Sequence, residues 1–161
     1  MDAEWAMKTK TTLLALLIST AAVSLCFASD DALMGTWKLN ESKSTFPAGS
    51  SKNKTVVYAQ SGDEVTITVD GVDGSGKVVH HEWMGKFDGK DYPAKGATNH
   101  DTRAYTKVDA NTVTYVAKKD GTSVGNGKVV VAADGKSRTV TEMMTGADGK
   151  PMNTTAVYDK Q

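Results

Sequence analysis

From Lys54 to the C-terminus, apolar and polar residues alternate in short runs separated by glycine, aspartate and asparagine. A period of two sends successive side chains to opposite faces of a strand, so each run carries one apolar face. Glu64 to Asp70 is the clearest case, with Val65, Ile67 and Val69 set against Thr66 and Thr68. Lys54 to Gln60 holds Val56 and Tyr58 on one parity, and Lys77 to Phe87 holds Val79, His81, Trp83, Gly85 and Phe87 on one face. Further strands are predicted at Tyr92-Pro93, Thr102 to Val108, Thr112 to Lys119, Thr122 to Ala132, Ser137 to Gly146 and Pro151 to Asp159. Pro93 has no N–H to give a ladder, which confines its short strand to an edge or a bulge.

Upstream, Gly35-Thr36-Trp37-Lys38-Leu39-Asn40 alternates in the same way, placing Gly35, Trp37 and Leu39 on one face of a first strand. Ser29 to Leu33 is a short lead-in to it. Glu41 to Asn53 shows no period and contains Pro47 and Gly49, so it reads as a loop. Turns are expected at Ser61-Gly62-Asp63, in the glycine-rich Gly71 to Gly76, at Asp88-Gly89, over Gly96 to Asp101, and at Asp109-Ala110-Asn111, Asp120-Gly121, Asp134-Gly135 and Asp148-Gly149. The Asp-Gly pair suits a type I′ hairpin, whose two central residues both take positive φ. Sequence neighbours joined by tight turns form an up-and-down antiparallel meander. About ten strands in so small a chain must hide their edges, and closing on themselves does so. The expected fold is therefore an all-β antiparallel barrel, with a two-sheet sandwich as the alternative. Trp37, two residues after Gly35, is suited to plug one end: the indole supplies apolar area and the glycine lets another part of the chain pass close.

The N-terminus reads as a targeting segment. Lys8 and Lys10 precede the apolar run Leu13 to Val23, and Cys26-Phe27-Ala28 has the ending a signal peptidase cuts. Residues 1–28 are thus expected to be a cleaved signal peptide and 29–161 a single β-barrel domain, periplasmic or secreted. The apolar run falls short of the ~20 residues a membrane-spanning helix needs, so no stable membrane insertion is expected after cleavage. Val23-Ser24-Leu25-Cys26 has the outline of a lipoprotein cleavage box, but Leu25 stands where that box needs a small residue. Cys26 is the chain's one cysteine and leaves with the signal, so the exported domain is held by its core alone.

Nineteen basic residues balance nineteen acidic ones, with no charged run, which argues against nucleic acid as a partner. His80 and His81 are adjacent on one strand and point to opposite faces, so they cannot share a metal. Asp70-Gly71-Val72-Asp73-Gly74-Ser75-Gly76 fails as a calcium loop because Val72 and Gly74 sit where oxygen ligands are required. It also fails as a phosphate loop for want of a following helix. No nucleophile and base share a spacing, and Glu64, Glu82 and Glu142 are the only carboxylates within strands away from turns. No cofactor, metal or catalytic group is expected. Met84, Met143, Met144 and Met152 suit either a pliable apolar pocket or ordinary core filling. Of the two arginines, Arg103 shares a strand face with Tyr105, a spacing on which guanidinium and phenol can converge on one carboxylate. Ala104, Thr106 and Val108 make an equally good inward face, and that choice would turn Arg103 to solvent.

The Gly-x-Trp first strand resembles that of the calycin group, the lipocalins and fatty-acid-binding proteins. The nearest resemblance is to small secreted bacterial proteins described as lipocalin-like. It rests on Gly35 to Asn40, Lys43-Ser44, Asp88-Gly89-Lys90-Asp91-Tyr92-Pro93 and Val157-Tyr158. Fatty-acid-binding proteins place two helices where this chain has Glu41 to Asn53, a stretch too short and broken for them, which shifts the resemblance toward lipocalins and a loop over the barrel mouth. Their Arg-x-Tyr pair lies on the final strand, where this chain offers Asn153, Thr155 and Val157 instead. The resemblance implies a small, largely apolar or amphipathic ligand inside a monomeric barrel. Arg103, Tyr105, His81, Trp83 and Tyr115 are the candidate contacts, and Gly35 and Trp37 the structural residues. Arg138 would either stack over Trp37, as calycins often arrange an arginine, or lie exposed beside Ser137. A loop-binding interaction module and an enzyme using the cavity are the competing classes. Interior volume discriminates among them, because a barrel filled by Trp83, Phe87, Tyr115 and methionines has no space for a guest.

Overall fold

A computed structural model describes residues 31–146 and 149–161. The expected signal peptide, and Asp148 of the last Asp-Gly turn, lie outside the described residues. Ten strands follow one another: β1 Gly35–Thr45, β2 Lys52–Ser61, β3 Glu64–Val72, β4 Val78–Gly85, β5 Tyr92–Lys95, β6 Thr102–Lys107, β7 Thr112–Lys119, β8 Thr122–Val131, β9 Ser137–Thr145 and β10 Pro151–Lys160. Each pairs antiparallel with its neighbours in sequence, and β1 pairs with β10 to close the barrel. No helix among the described residues is long and apolar enough to cross a membrane.

The period-two faces resolve as expected. Val65, Ile67 and Val69 are buried while Thr66 and Thr68 are half-exposed on the outside. Trp83 and Gly85 of β4, Val113, Tyr115 and Ala117 of β7, and Val129 and Val131 of β8 join them in the interior. Connections after β1, β3, β5, β7 and β9 gather at one end, the mouth, and those after the even strands at the other. The far end is plugged by Leu33 and Trp37, both fully buried, with the indole Nε1 donating to the Leu33 carbonyl at 3.0 Å. The lead-in is a single turn, closed by Met34 N–H to Asp31 C=O at 2.8 Å.

Four details depart from the sequence reading. Glu41 to Thr45 continues β1 rather than opening a loop, so that the loop is only 46–51. The register shifts between Asn40 and Thr45, and there the Ser44 hydroxyl accepts from Val157 N–H at 2.9 Å while donating to the Asn40 carbonyl at 2.7 Å. A side chain replaces the ladder, which no side-chain period announces. Gly71 and Val72 belong to β3, not to a turn, and a Cβ on Gly71 would lie 2.2 Å from the Lys52 carbonyl oxygen. Of the Asp-Gly turns described, only Asp120-Gly121 carries positive φ at both residues; at Asp88-Gly89 and Asp134-Gly135 the glycine alone does. Pro93 sits in a strand with neighbours on both sides. It is tolerated because β4 pairs with Ala94 and Lys95, so the missing N–H forfeits no bond on that side.

Candidate functional site

The interior is polar for so small a barrel. Arg103 and Tyr105 point inward, against the outward reading of Arg103: Tyr105 is buried, whereas Thr106 and Val108 are exposed on the outer wall. Ala104 is buried too, but on the outer face, where Val116 is its cross-strand partner. The Arg103 Nη1 donates to the Tyr105 hydroxyl at 3.1 Å, and its guanidinium carbon lies 4.7 Å from the centre of the Tyr115 ring. Tyr115 in turn donates its hydroxyl to Glu142 Oε2. This phenol can lie flat along the wall over β8 because its partner there is Gly127, where a Cβ would stand 2.4 Å from the ring. Trp83 completes the wall, its Nε1 donating to the Arg103 carbonyl at 3.0 Å and its ring centre 4.6 Å from that of Tyr105. All five candidate contacts, Arg103, Tyr105, His81, Trp83 and Tyr115, therefore stand on the inner face.

The electrostatics keep these groups in fixed charge states. Burial works against the Arg103 charge, but Tyr105, Tyr115 and Glu142 outweigh it, so its pKa is raised above the ordinary arginine value. Burial, followed by the nearby Glu142 charge, lifts Tyr115 well above the usual phenol range. Burial also pushes Tyr158 up to about 12. No ion pair includes Arg103 among the described residues; its guanidinium stacks on Tyr115, whose hydroxyl meets Glu142.

Two spaces flank Arg103. One, of about 30 Å³, lies deep among Tyr58, Tyr105, Tyr115, Tyr158, Arg138 and Glu142. The other, about 90 Å³, opens at the mouth and is lined by Asn53, Asp73, His81, Asn99, His100 and Arg103 among others. A recess of about 160 Å³ adjoins it at the rim, sharing Ser51 and Asn99 and bringing in Met144 and Met152. A larger hollow of about 570 Å³ lies between the 46–51 loop and the β3–β4 turn. Its lining of Glu41, Lys52, Lys54 and exposed loop backbone is that of solvent-facing surface, with Lys52 and Glu41 paired at 2.7 Å. Of the four methionines, Met144 is buried and Met152 half-buried, whereas Met84 and Met143 face outward. Met144 and Met152 thus both line the rim recess, and Met84 and Met143 line neither the recess nor the core.

His100, absent from the sequence candidates, is buried at 2% exposure beside His81, their ring centres 6.2 Å apart and edge-on. Its Nδ1 lies 2.7 Å from Asn99 Oδ1, so that nitrogen donates and Nε2 is left as an acceptor. The Nε2 atoms of both histidines and the Nε of Arg103 are buried without a protein partner. Burial, then the Arg103 charge, lowers His81 to about 4 and His100 to about 3. Both rings are neutral near pH 7. His80, on the other face, pairs with Asp70 at 2.7 Å. No group of three histidine, cysteine or acidic side chains among the described residues could hold a metal.

At the plugged end Arg138 is buried, its guanidinium 4.8, 4.7 and 4.9 Å from the rings of Trp37, Tyr58 and Tyr158. The stacked alternative holds and the exposed one does not. Gly35 has φ +113°, and a Cβ there would sit 3.0 Å from Lys160 Cε.

No protein-family model matches the chain, and no curated protein matches it. In fold it is similar to a redesigned β-barrel, mFAP1, solved bound to DFHBI, with 14% identity and a TM-score of 0.45 over 80% of this chain and 95% of that one. It is similar also to EF1p2_mFAP2b bound to DFHBI, at 13% identity and a TM-score of 0.47 over 81% and 94% of the two chains. Lobster apocrustacyanin A1 shares 10% identity and a TM-score of 0.42 over 82% of this chain and 62% of its own. These likenesses concern barrel architecture alone.

Proposed function

We propose that the chain is an exported, lipocalin-like barrel that binds a small amphipathic molecule at its open end and performs no chemistry on it. The observation that carries this reading is Arg103, a half-buried arginine at the wall of the mouth chamber whose Nε–H is itself buried and lacks a protein partner. A buried charged donor left unmatched is costly, and a guest's acidic group would satisfy it. The adjoining Met144 and Met152 recess suits a short apolar tail. A largely apolar guest deep in the barrel does not fit, because the inner space of about 30 Å³ holds roughly one water.

Hexanoate and its neutral analogue hexanol test this by NMR titration of the wild type and Arg103→Gln. Hexanoate is expected to bind saturably, shifting resonances of the mouth residues. The variant should weaken it about tenfold or more, the usual worth of a hydrogen bond to a charged group, with little change for hexanol. No saturable binding of either probe, or equal weakening of both, would remove the reading. The filled depth of the barrel favours instead, in that event, a module that binds a protein through its mouth loops.

Export rests on the sequence of residues 1–28. Intact-mass measurement of chain recovered from outside the cytoplasm is expected to give a protein beginning at Ser29. A lipid-modified chain beginning at Cys26 would overturn both the cleavage site and the soluble, exported form.

A further inference from the structure

The loop between β5 and β6 drops His100 into the mouth beside His81, and two ring nitrogens there face the same chamber as the unmatched N–H of Arg103. Each Nε2 without its proton is an acceptor and repels an anion; with a proton it becomes a charged donor beside Arg103. We propose that His81, His100 and Arg103 form a proton-linked oxyanion site, in which an acidic head group and one or two protons bind together. The inference rests on the reading of the mouth as a guest site and adds how that site is regulated.

In the empty chamber most charged neighbours oppose protonation of the two rings, and a charged His81 opposes that of His100. Arg103 faces both rings and, in the empty chamber, opposes their protonation along with burial. His80 and Asp70 act on His81 from the outer side with opposite signs, and Lys119 acts on His100 from β7. Asp73 is the carboxylate on the chamber lining, but its Oδ1 already accepts from Ser75 N–H, Ser75 Oγ and Lys77 N–H within the β3–β4 turn. It makes no ion pair with Arg103 among the described residues. Seating an anion reverses the local field, because its charge favours the imidazolium form and offsets the repulsion from Arg103. The histidine pKa values rise on binding, and the sign follows: protons are taken up with the guest, and affinity grows as pH falls toward the range of the bound pair. Each proton taken up strengthens binding by up to about tenfold per pH unit in that window. A guest captured in an acidic compartment would be released in a neutral one.

The test is calorimetry of the full chain with hexanoate at pH 7.0 and 5.5, in two buffers of different ionisation heat. A carboxylate of ordinary pKa stays mostly ionised across this window. Binding is expected to tighten at pH 5.5, with a buffer-dependent heat that reports proton uptake, while hexanol shows neither. Imidazole ¹⁵N shifts should show the Nε2 signals moving from the unprotonated to the protonated range when hexanoate is added. His100→Gln and His81→Gln should each flatten the pH dependence, and circular dichroism checks that they remain folded. Should His100→Gln fail to fold, the ¹⁵N shifts of the wild type decide the matter alone. Hexanoate that binds equally at both pH values, without proton uptake, overturns this inference and leaves the guest site standing. Absence of binding by either probe removes the guest site as well.

Discussion

Trp37→Ala is expected to leave the chain unfolded or melting roughly 10 to 20 °C below the wild type. Trp37 lies on the closing seam, opposite Lys160 of β10 on one side and Val56 of β2 on the other. Its side chain is fully buried, and burying an indole removes roughly 200 Å² from water. Large-to-small changes at such positions cost about 3 to 5 kcal/mol, out of the ~5 to 15 kcal/mol a domain usually holds. Removing it also strips one of three rings from the Arg138 guanidinium, which has two nitrogens without a protein partner. Trp37→Phe should retain the fold with a smaller loss, since it keeps an aromatic face for Arg138 but gives up the hydrogen bond to the Leu33 carbonyl, worth about 1 kcal/mol. Lys38→Ala, on the exposed face, should shift stability by less than about 0.5 kcal/mol. Thermal unfolding of the three variants in one buffer, followed by far-ultraviolet circular dichroism, checks the order. A Trp37→Ala chain that melts within a few degrees of wild type would show that the plug does not hold the seam.

The barrel is legible in the sequence because burial on one face imposes a period of two, and because glycine and aspartate mark most of the turns. Thr112 to Lys119 is read with the bounds the structure has, and the other strands from Lys54 onward differ at their ends by a few residues. Side-chain pattern is a poor guide where hydrogen bonding replaces it, as at Glu41 to Thr45, where Ser44 stands in for a ladder acceptor. It is ambiguous where both parities are apolar. In β6, Ala104 and Tyr105 are both buried, one under Val116 on the outside and the other in the core, so the strand alone does not say which way Arg103 turns. The neighbouring strands decide it: Tyr115, paired with Tyr105, faces inward from β7, and Gly127 beyond it leaves the room a phenol needs.

The candidate site is less legible still. His81 follows from the parity it shares with Trp83, but His100 lies in a loop with no period, and its burial depends on where that loop folds. The Ala94 N–H donates to the Asp101 carbonyl at 2.8 Å and the Asp101 N–H to the Lys118 carbonyl at 2.9 Å, which ties the loop end between β5 and β7. Those are backbone bonds, which composition does not encode. The chemical character of the interior was equally hidden. Glu142 reads as a lone mid-strand carboxylate until Tyr115 donates to it over Gly127 of the strand between them.

Ile67→Asp is expected to destabilise the barrel by more than about 4 kcal/mol, whereas Thr68→Asp costs about 1. Ile67 is buried at 3% exposure between cross-strand partners Tyr58 on β2 and Trp83 on β4. Aspartate there loses the apolar side chain, worth about 2 to 5 kcal/mol on truncation, and adds a carboxylate that must be desolvated in the inner space Ile67 shares with Val56, Val69, Arg103 and Arg138. Thr68 points the other way and is half-exposed, opposite Val57 and Glu82. An aspartate at 68 therefore meets one like charge across the strand, at a cost of a few tenths of a kcal/mol, and a weaker strand propensity. The two substitutions introduce the same residue one position apart, so their difference isolates the face. Denaturant midpoints measured at constant slope give that difference directly. Equal midpoints would mean that both faces of β3 are buried, and a reversed order that its register is shifted by one. A one-residue shift in β3 would turn Val65, Ile67 and Val69 outward and carry Thr66 and Thr68 into the core, so the same pair of variants tests the register that gives β3 its inner face.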